Sequence, residues 1–486
     1  MPQIRDDRLD PALLRLIGVT LLGGIMGILD STMVTVAADT LAEEFHSSLG
    51  AISWASTGYL LALTVTIPIT GWAVGRFGVK PLWLFGLVVF LTGSLASALA
   101  WDMASLIGFR VLQGIGAGVV DPLVLVILAR AAGPGRAGRV MGMMGVVLSL
   151  GPVLGPVLGG IVLQGLGWRA MFYINLPIGI IAALLALRVI PSEPAGEHRS
   201  RAPLDVLGAV LLAPGFAATV YALTQAGEKA TFGTPAVLVP LAAGLLLLLA
   251  YVRHALRTRR TEPLIDVRLF TSRSFAASVT VQGLVGLGTY AGLFALPLYY
   301  QVIHDHGARA AGLLVAPLGL GSALAMPLAG RLSDKLGARK LVQGGAVLAA
   351  VGAVVLTRLG DGGSEVRSAV AVLAIGLGLG AVGAPTMGSL YRTLPSEKVP
   401  QGSSVLYNLN QLGGALGVAC VALILAAAGT GGAAGSGING FQHAYWFVFA
   451  VAVMILVASP LLPGRPEAVP APAEASGSEP NQALVE

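Results

Sequence analysis

Three ionisable side chains fall inside long apolar stretches of this chain: Asp30, Arg110 and Asp121. A charge at bilayer depth costs several kcal/mol unless it is paired or hydrated, so such residues mark proton relays, ion paths or buried pairs. The 11 residues from Arg110 to Asp121 make about 1100° of helical rotation, three turns plus about 20°. Arg110, Gly114, Ala117 and Asp121 therefore fall on one helix face, base at one end and acid at the other. Asp30 lies about 24 Å along the first apolar stretch, close to the level Arg110 reaches from the opposite direction in a core about 30 Å thick. A carboxylate in an apolar cavity favours its neutral form, and a neighbouring guanidinium or admitted water reverses that preference. Opening and closing such a cavity can load and release a proton. The expected chemistry is proton binding at Asp30 first, with Asp121 as a second acid and Arg110 as the tuning cation.

Helices that cross a bilayer must position these residues, and the composition requires them. Of 486 residues 55% are apolar and only 11% charged, against about 25% charged in an ordinary soluble domain. Fourteen apolar runs lie between Leu14 and Pro463, each near the roughly 20 residues that span a bilayer core. The run from Leu14 is too long for a signal-peptide core and is expected to be retained. With the N-terminus in the cytoplasm, 24 of the 30 Lys and Arg residues lie inside. Outside fall Arg169, Lys229, Arg309, Arg358 and Arg367, with Arg110 in a helix. The positive-inside rule thus predicts both termini cytoplasmic. The Arg253, Arg257, Arg259 and Arg260 cluster serves the same orientation signal. The Pro/Ala/Glu/Ser-rich stretch 464–486 predicts a disordered tail, and Gly429 to Gly440 a flexible outer connector. Asp205, at the start of the seventh run, reads as a helix cap.

Two short segments repeat. Gly71, Gly75, Arg76, Gly78 and Lys80 match Gly330, Asp334, Lys335, Gly337 and Arg339, each set following an even-numbered run. The glycines permit a sharp turn between antiparallel helices, and the bases can bond helix-terminal carbonyls or lipid phosphate. The separation is 330 − 71 = 259 residues; removing a helical pair of about 60 residues leaves a six-helix half of about 200. The expected organisation is a six-helix bundle over 1–190, an inserted two-helix hairpin with a basic linker over 191–273, and a second six-helix bundle over 274–463. A further run, Gly151, Pro152, Gly155, Pro156, Gly159 and Gly160, puts glycines four residues apart on one stripe beside helix-bending prolines, suited to halves that rock against each other.

The paired loops resemble the signature of major facilitator superfamily transporters, and the extra central pair resembles the fourteen-helix drug:proton antiporter branch (QacA/EmrB-like). Leu29-Asp30-Ser31-Thr32, Arg110 to Gly118 with Gln113, Gly151 to Gly160, Trp168 to Pro177 with Asn175, and Gln411 to Gly417 are similar to that branch. The resemblance implies an all-α membrane protein of fourteen helices in the major facilitator fold, exporting by antiport. One departure is Gly75, where the family usually carries an aspartate; Asp334 keeps it, so the C-terminal copy is expected to dominate. Helices lining the central cavity in that family direct attention to Met26, Met33, Trp54, Tyr59, Tyr290, Phe294 and Asn410 as substrate contacts, since aromatic faces and thioethers suit hydrophobic or cationic compounds.

Other chemistries lack their motifs. The sequence has no P-loop, and Gly378-Leu379-Gly380-Ala381-Val382-Gly383 sits in an apolar run without the strand that a dinucleotide site needs. A single cysteine, Cys420, excludes a disulfide framework, and His304-Asp305-His306 lacks companion metal ligands. The expectation is a proton-coupled multidrug efflux antiporter of the bacterial inner membrane. It is expected to be no enzyme, to need no cofactor beyond the proton gradient, to bind no metal or nucleic acid, and to work as a monomer on small drug-like molecules. A dedicated exporter of one endogenous antibiotic, siderophore or lipid is the alternative, and a transporter-like sensor the third reading.

Overall fold

The computed structural model describes residues 10–133, 135–192, 203–258, 261–358, 364–428 and 437–464. The expected tail from 465 onward, most of the 429–440 connector, and Arg259 and Arg260 lie outside the described residues; Gly437 to Gly440 already belong to a helix. Everything regular among the described residues is helical, the outcome an apolar environment imposes because a helix satisfies its own backbone.

The N-terminal half comprises α1 (Pro11–Val36), α2 (Ala38–Glu44), α3 (Leu49–Phe77), α4 (Val79–Ala98), α5 (Met103–Ala132), α6 (Ala137–Leu166), α7 (Trp168–Tyr173) and α8 (Asn175–Val189). A hairpin follows, α9 (Val206–Lys229) and α10 (Pro235–Arg257). The C-terminal half is α11 (Arg273–Ile303), α12 (Ala308–Leu336), α13 (Ala338–Thr357), α14 (Glu365–Thr393), α15 (Val399–Ala427) and α16 (Gly437–Ala458). Thirteen described helical spans are long and apolar enough to cross a membrane, fourteen when α6, bent by 45° between Pro152 and Leu154, counts as one. The sixth expected run is broken into α7 and α8, and α2 is a short turn beyond α1.

The repeat appears as backbone geometry. Gly78 (φ 85°) and Gly337 (φ 82°) join α3 to α4 and α12 to α13 at the same end of the molecule, in a region of φ that side chains with a Cβ rarely adopt. Lys80 Nζ bonds the Leu187 carbonyl (2.7 Å) and Arg339 Nε the Leu462 carbonyl (3.1 Å), as the turn chemistry predicts. This turn end carries both described chain ends. Within the N-terminal half α3 and α4 pack on α5, and α1 on α6 and α8; in the C-terminal half α12 and α13 pack on α14, and α11 on α15. The halves meet through α6 against α12 and α14, and through α3 and α5 against α15. Helix α9 lies along that second seam, touching both α3 and α15. Asp205 caps α9 through Gly208 N (2.9 Å) and also meets His254 Nε2 (2.8 Å) on α10.

Candidate functional site

Asp30 and Arg110 meet. Asp30 on α1 is 1% exposed and Arg110 on α5 fully buried, and Arg110 Nη1 donates to Asp30 Oδ2. Two further donors reach the other carboxylate oxygen: Gln113 Nε2 (2.9 Å) and Asn175 Nδ2 (2.8 Å). Gln113 Oε1 accepts from Arg110 (2.8 Å), and Asn175 also donates to Ser94 Oγ (3.0 Å). Arg110 Nε reaches the Ala55 carbonyl (3.3 Å), and its Cζ stacks 4.3 Å from the centre of the Tyr59 ring. All these groups belong to the N-terminal half, and the two charges cancel, which is how a buried pair survives desolvation. The break between α7 and α8 puts Asn175 in the core beside the acid. Gln113, Asn175 and Ser94 were not assigned to the site by sequence; the signal for Gln113 was its spacing of three from Arg110, one helical turn.

Asp121 stands differently. Helix α5 runs unbroken through Pro122, and Asp121 is 5% exposed. Its carboxylate therefore does not project into solvent from a broken helix. One oxygen accepts from the Tyr407 hydroxyl of α15 (2.8 Å), across the boundary between halves. The other lies against Gly27 of α1, where an added Cβ would sit 3.1 Å from it. The Tyr59 hydroxyl donates to the Gly27 carbonyl (3.3 Å), so Tyr59 touches both charge centres, ring on Arg110 and hydroxyl beside Asp121. Tyr290 of α11 packs its ring on Gly414 and is within electrostatic reach of Asp121. Among the described residues no lysine or arginine pairs with Asp121, in contrast to Asp30, which Arg110 meets. Tyr407 is also a residue that sequence missed. A tyrosine in an apolar run carries no spacing signal toward a helix 286 residues away.

The remaining substrate candidates do not converge. Met26 and Met33 are buried in the N-terminal half, Met33 beneath Gly159. Trp54 is 41% exposed and stacks on Tyr221 of α9 (5.6 Å). Phe294 packs on the C-terminal core, and Asn410 Nδ2 donates to the Gln282 carbonyl (3.1 Å). Only Tyr59 and Tyr290 gather at Asp121.

A second polar site closes the turn end. Helix α6 has no side-chain cap of its own. Asp334 of α12 supplies one from the other half, taking Gly138 N and Arg139 N (2.9 Å each) and Arg392 Nη1 of α14 (2.8 Å). A carboxylate at a helix N-terminus satisfies free N–H groups and opposes the positive end of the dipole. Gly138, Gly330 and Gly388 let three backbones touch here; a Cβ on Gly330 would sit 2.2 Å from the Gly138 carbonyl. The matching corner differs. Gly75 offers no carboxylate, and α15 begins with Pro400 near its start, which has no N–H to give. Gly71 instead lies against Ser404 and Pro400, and Ser404 Oγ bonds the Ile67 carbonyl (3.1 Å). Arg76 is exposed.

The α6 glycines divide between two partners. Gly138, Gly142 and Gly145 face α12, whereas Gly151, Gly155 and Gly159 pack on Ile28, Thr32 and Met33 of α1. The expected sliding stripe is thus an internal seam of the N-terminal half, and the contact between halves lies one bend earlier. Beyond the bend Pro156 is exposed and Gly160 faces open space.

A family model for the Major Facilitator Superfamily matches residues 20–418. The chain belongs to the major facilitator superfamily. Among the transporter's relatives, a multidrug resistance protein B homolog of Mycobacterium tuberculosis is 38% identical over 425 residues, 86% of this chain and 77% of the relative. The tetracenomycin C resistance and export protein of Streptomyces glaucescens is 31% identical, covering 83% and 74%. The lincomycin resistance protein LmrB of Listeria monocytogenes is 29% identical, covering 84% and 85%. These names set the transporter in the drug-efflux family, as a multi-pass membrane protein rather than an enzyme. The fold matches the human organic anion transporter MFSD10 with TM-score 0.67 at 16% identity, covering 93% of this chain and all of that one. The proton:xylose symporter XylE matches with TM-score 0.63 at 14% identity, covering 92% and 94%.

Proposed function

We propose that the transporter is a proton-coupled exporter of hydrophobic or cationic compounds in the bacterial inner membrane, with Asp121 as the acid that is loaded and emptied. The observation that carries this reading is the buried carboxylate between halves: 5% exposed, with a phenol as its donor and no cation paired with it among the described residues. A carboxylate so placed is stable when it takes a proton or a positively charged ligand, so the two compete for it. Asp30 is already neutralised by Arg110 and held by Gln113 and Asn175, which suits it to fixing α1, α5 and α8 rather than to cycling. This reverses the order of the two acids expected from depth and motif.

The excess of bases on the turn end supports a cytoplasmic position for it. The joining of that end by Asp334 supports an alternating-access cycle in which this arrangement is closed toward the cytoplasm. The relative named for tetracenomycin C export supports a second reading, a dedicated exporter of one product on the same machinery. Purified protein in proteoliposomes distinguishes these readings. Under the first, several unrelated lipophilic cations release protons in the wild type, and Asp121→Asn abolishes that release in a protein that still inserts and folds. Proton release unchanged in Asp121→Asn refutes the assignment, and release by a single compound favours the second reading.

A further inference from the structure

Four described polar contacts join the halves along the inner part of the transporter, and they differ in what they respond to. Asp334 bonds two backbone N–H groups and a guanidinium. Ser149 Oγ meets Met326 Sδ (3.2 Å), a neutral pair. Ser404 Oγ bonds Ile67 O of α3 but reaches Pro400 O of its own helix equally (3.1 Å each), so its hydroxyl is satisfied whether or not the halves touch. One turn further along α15, Tyr407 donates across the boundary to Asp121.

Of the described groups facing Asp121 from the other half, Tyr407 is the one hydrogen-bonded to its carboxylate. From α1 comes Gly27, with Asp30 one turn on; from α3, Tyr59, whose hydroxyl is used on Gly27 O. On its own helix, Arg110 and Gln113 are committed to Asp30. From α11, Tyr290 lies with its ring on Gly414. A hydrogen bond to an ionised acceptor is about twice as strong as one between neutral groups, so the bond weakens when a proton or cationic substrate neutralises the carboxylate.

We infer that Tyr407 is the positioning residue that transmits the loading of Asp121 to the C-terminal half. The empty, ionised acid holds α15 against α5, and the loaded acid releases it, freeing the turn end to open. This rests on the reading of Asp121 as the exchangeable acid, and it adds the element that makes loading a mechanical event.

The test uses the full chain in lipid nanodiscs on a Cys420→Ser background, spin-labelled at Phe77→Cys and Leu336→Cys. These positions are exposed (50% and 44%), on opposite halves at the turn end. In the wild type, lowering the pH is expected to raise the long-distance population. Tyr407→Phe keeps the ring and removes the hydroxyl; it should enlarge that population at high pH about tenfold, the size of a charge-assisted hydrogen bond. Its distance distribution should also become insensitive to pH. Uphill substrate accumulation in proteoliposomes should fall about tenfold, while substrate exchange at equilibrium persists. Tyr407→His, which retains a donor, should recover part of the pH response. A Tyr407→Phe distribution that follows pH as the wild type does overturns the role of Tyr407, even if Asp121→Asn abolishes proton release. Proton release unchanged in Asp121→Asn instead overturns both readings.

Discussion

Replacing Asp334 with Asn tests whether the turn end is held by one ionic corner. The wild-type carboxylate receives Gly138 N and Arg139 N on separate oxygens, plus Arg392 Nη1, with the Asp334 and Arg392 side chains 12% and 13% exposed. Asn keeps one acceptor oxygen and loses the charge, so one peptide N–H loses its acceptor and Arg392 its counter-ion. With bonds to charged groups worth about 1.5–3 kcal/mol each, and discounting for partial exposure, the loss is about 2–3 kcal/mol. At about 1.4 kcal/mol per decade this is a shift of roughly 30- to 150-fold toward states open at the turn end. The assay is the distance distribution across that end at constant pH, with substrate-binding affinity as a check on folding. The companion variant is Gly75→Asp. It installs the missing carboxylate at the matching corner but should not offset Asp334→Asn, because Pro400 gives no N–H to the new acid. An Asp334→Asn distribution equal to that of the wild type, or rescue by Gly75→Asp, refutes the one-cornered latch.

The seam between α1 and α6 gives a further expectation. A Cβ on Gly155 would stand 1.8 Å from Thr32 Oγ1, so Gly155→Leu should abolish transport while the protein still inserts, and Thr32→Gly should restore part of the activity. Normal transport by a correctly inserted Gly155→Leu protein would count against that seam. At the neutralised pair, Arg110→Ala strands a buried carboxylate with only neutral donors. It should lower unfolding stability by about 3–5 kcal/mol, whereas the Asp30→Asn/Arg110→Ala double variant should lose less; thermal unfolding in detergent reads the difference. Equal losses in the single and double variants would remove the claim that the two charges stabilise each other.

The membrane class and the paired turns were legible because each is recorded locally. Apolar length fixes a span, and Gly78 and Gly337 are demanded by a φ of about 80° within their own turns. Asp30 with Arg110 was legible for a similar reason, since two opposite charges at one depth have few other ways to avoid desolvation. The role of the α6 glycines was not, because a stripe of small residues permits close approach without naming the partner. The same helix spends Gly138, Gly142 and Gly145 on α12 and Gly151, Gly155 and Gly159 on α1.

By itself, the sequence determined which residues carry charge into the bilayer and on which helix face they stand. Only the tertiary structure decided how those charges are used. Asp30 and Asp121 are the same side chain at membrane depth, and one is neutralised by Arg110 and held by Gln113 and Asn175 while the other faces Tyr407 across the boundary between halves. Periodicity fixes the direction of a side chain on its own helix, but the compensation of a buried charge depends on which atoms from other helices lie within a few ångströms of it. That is set by how the two bundles pack.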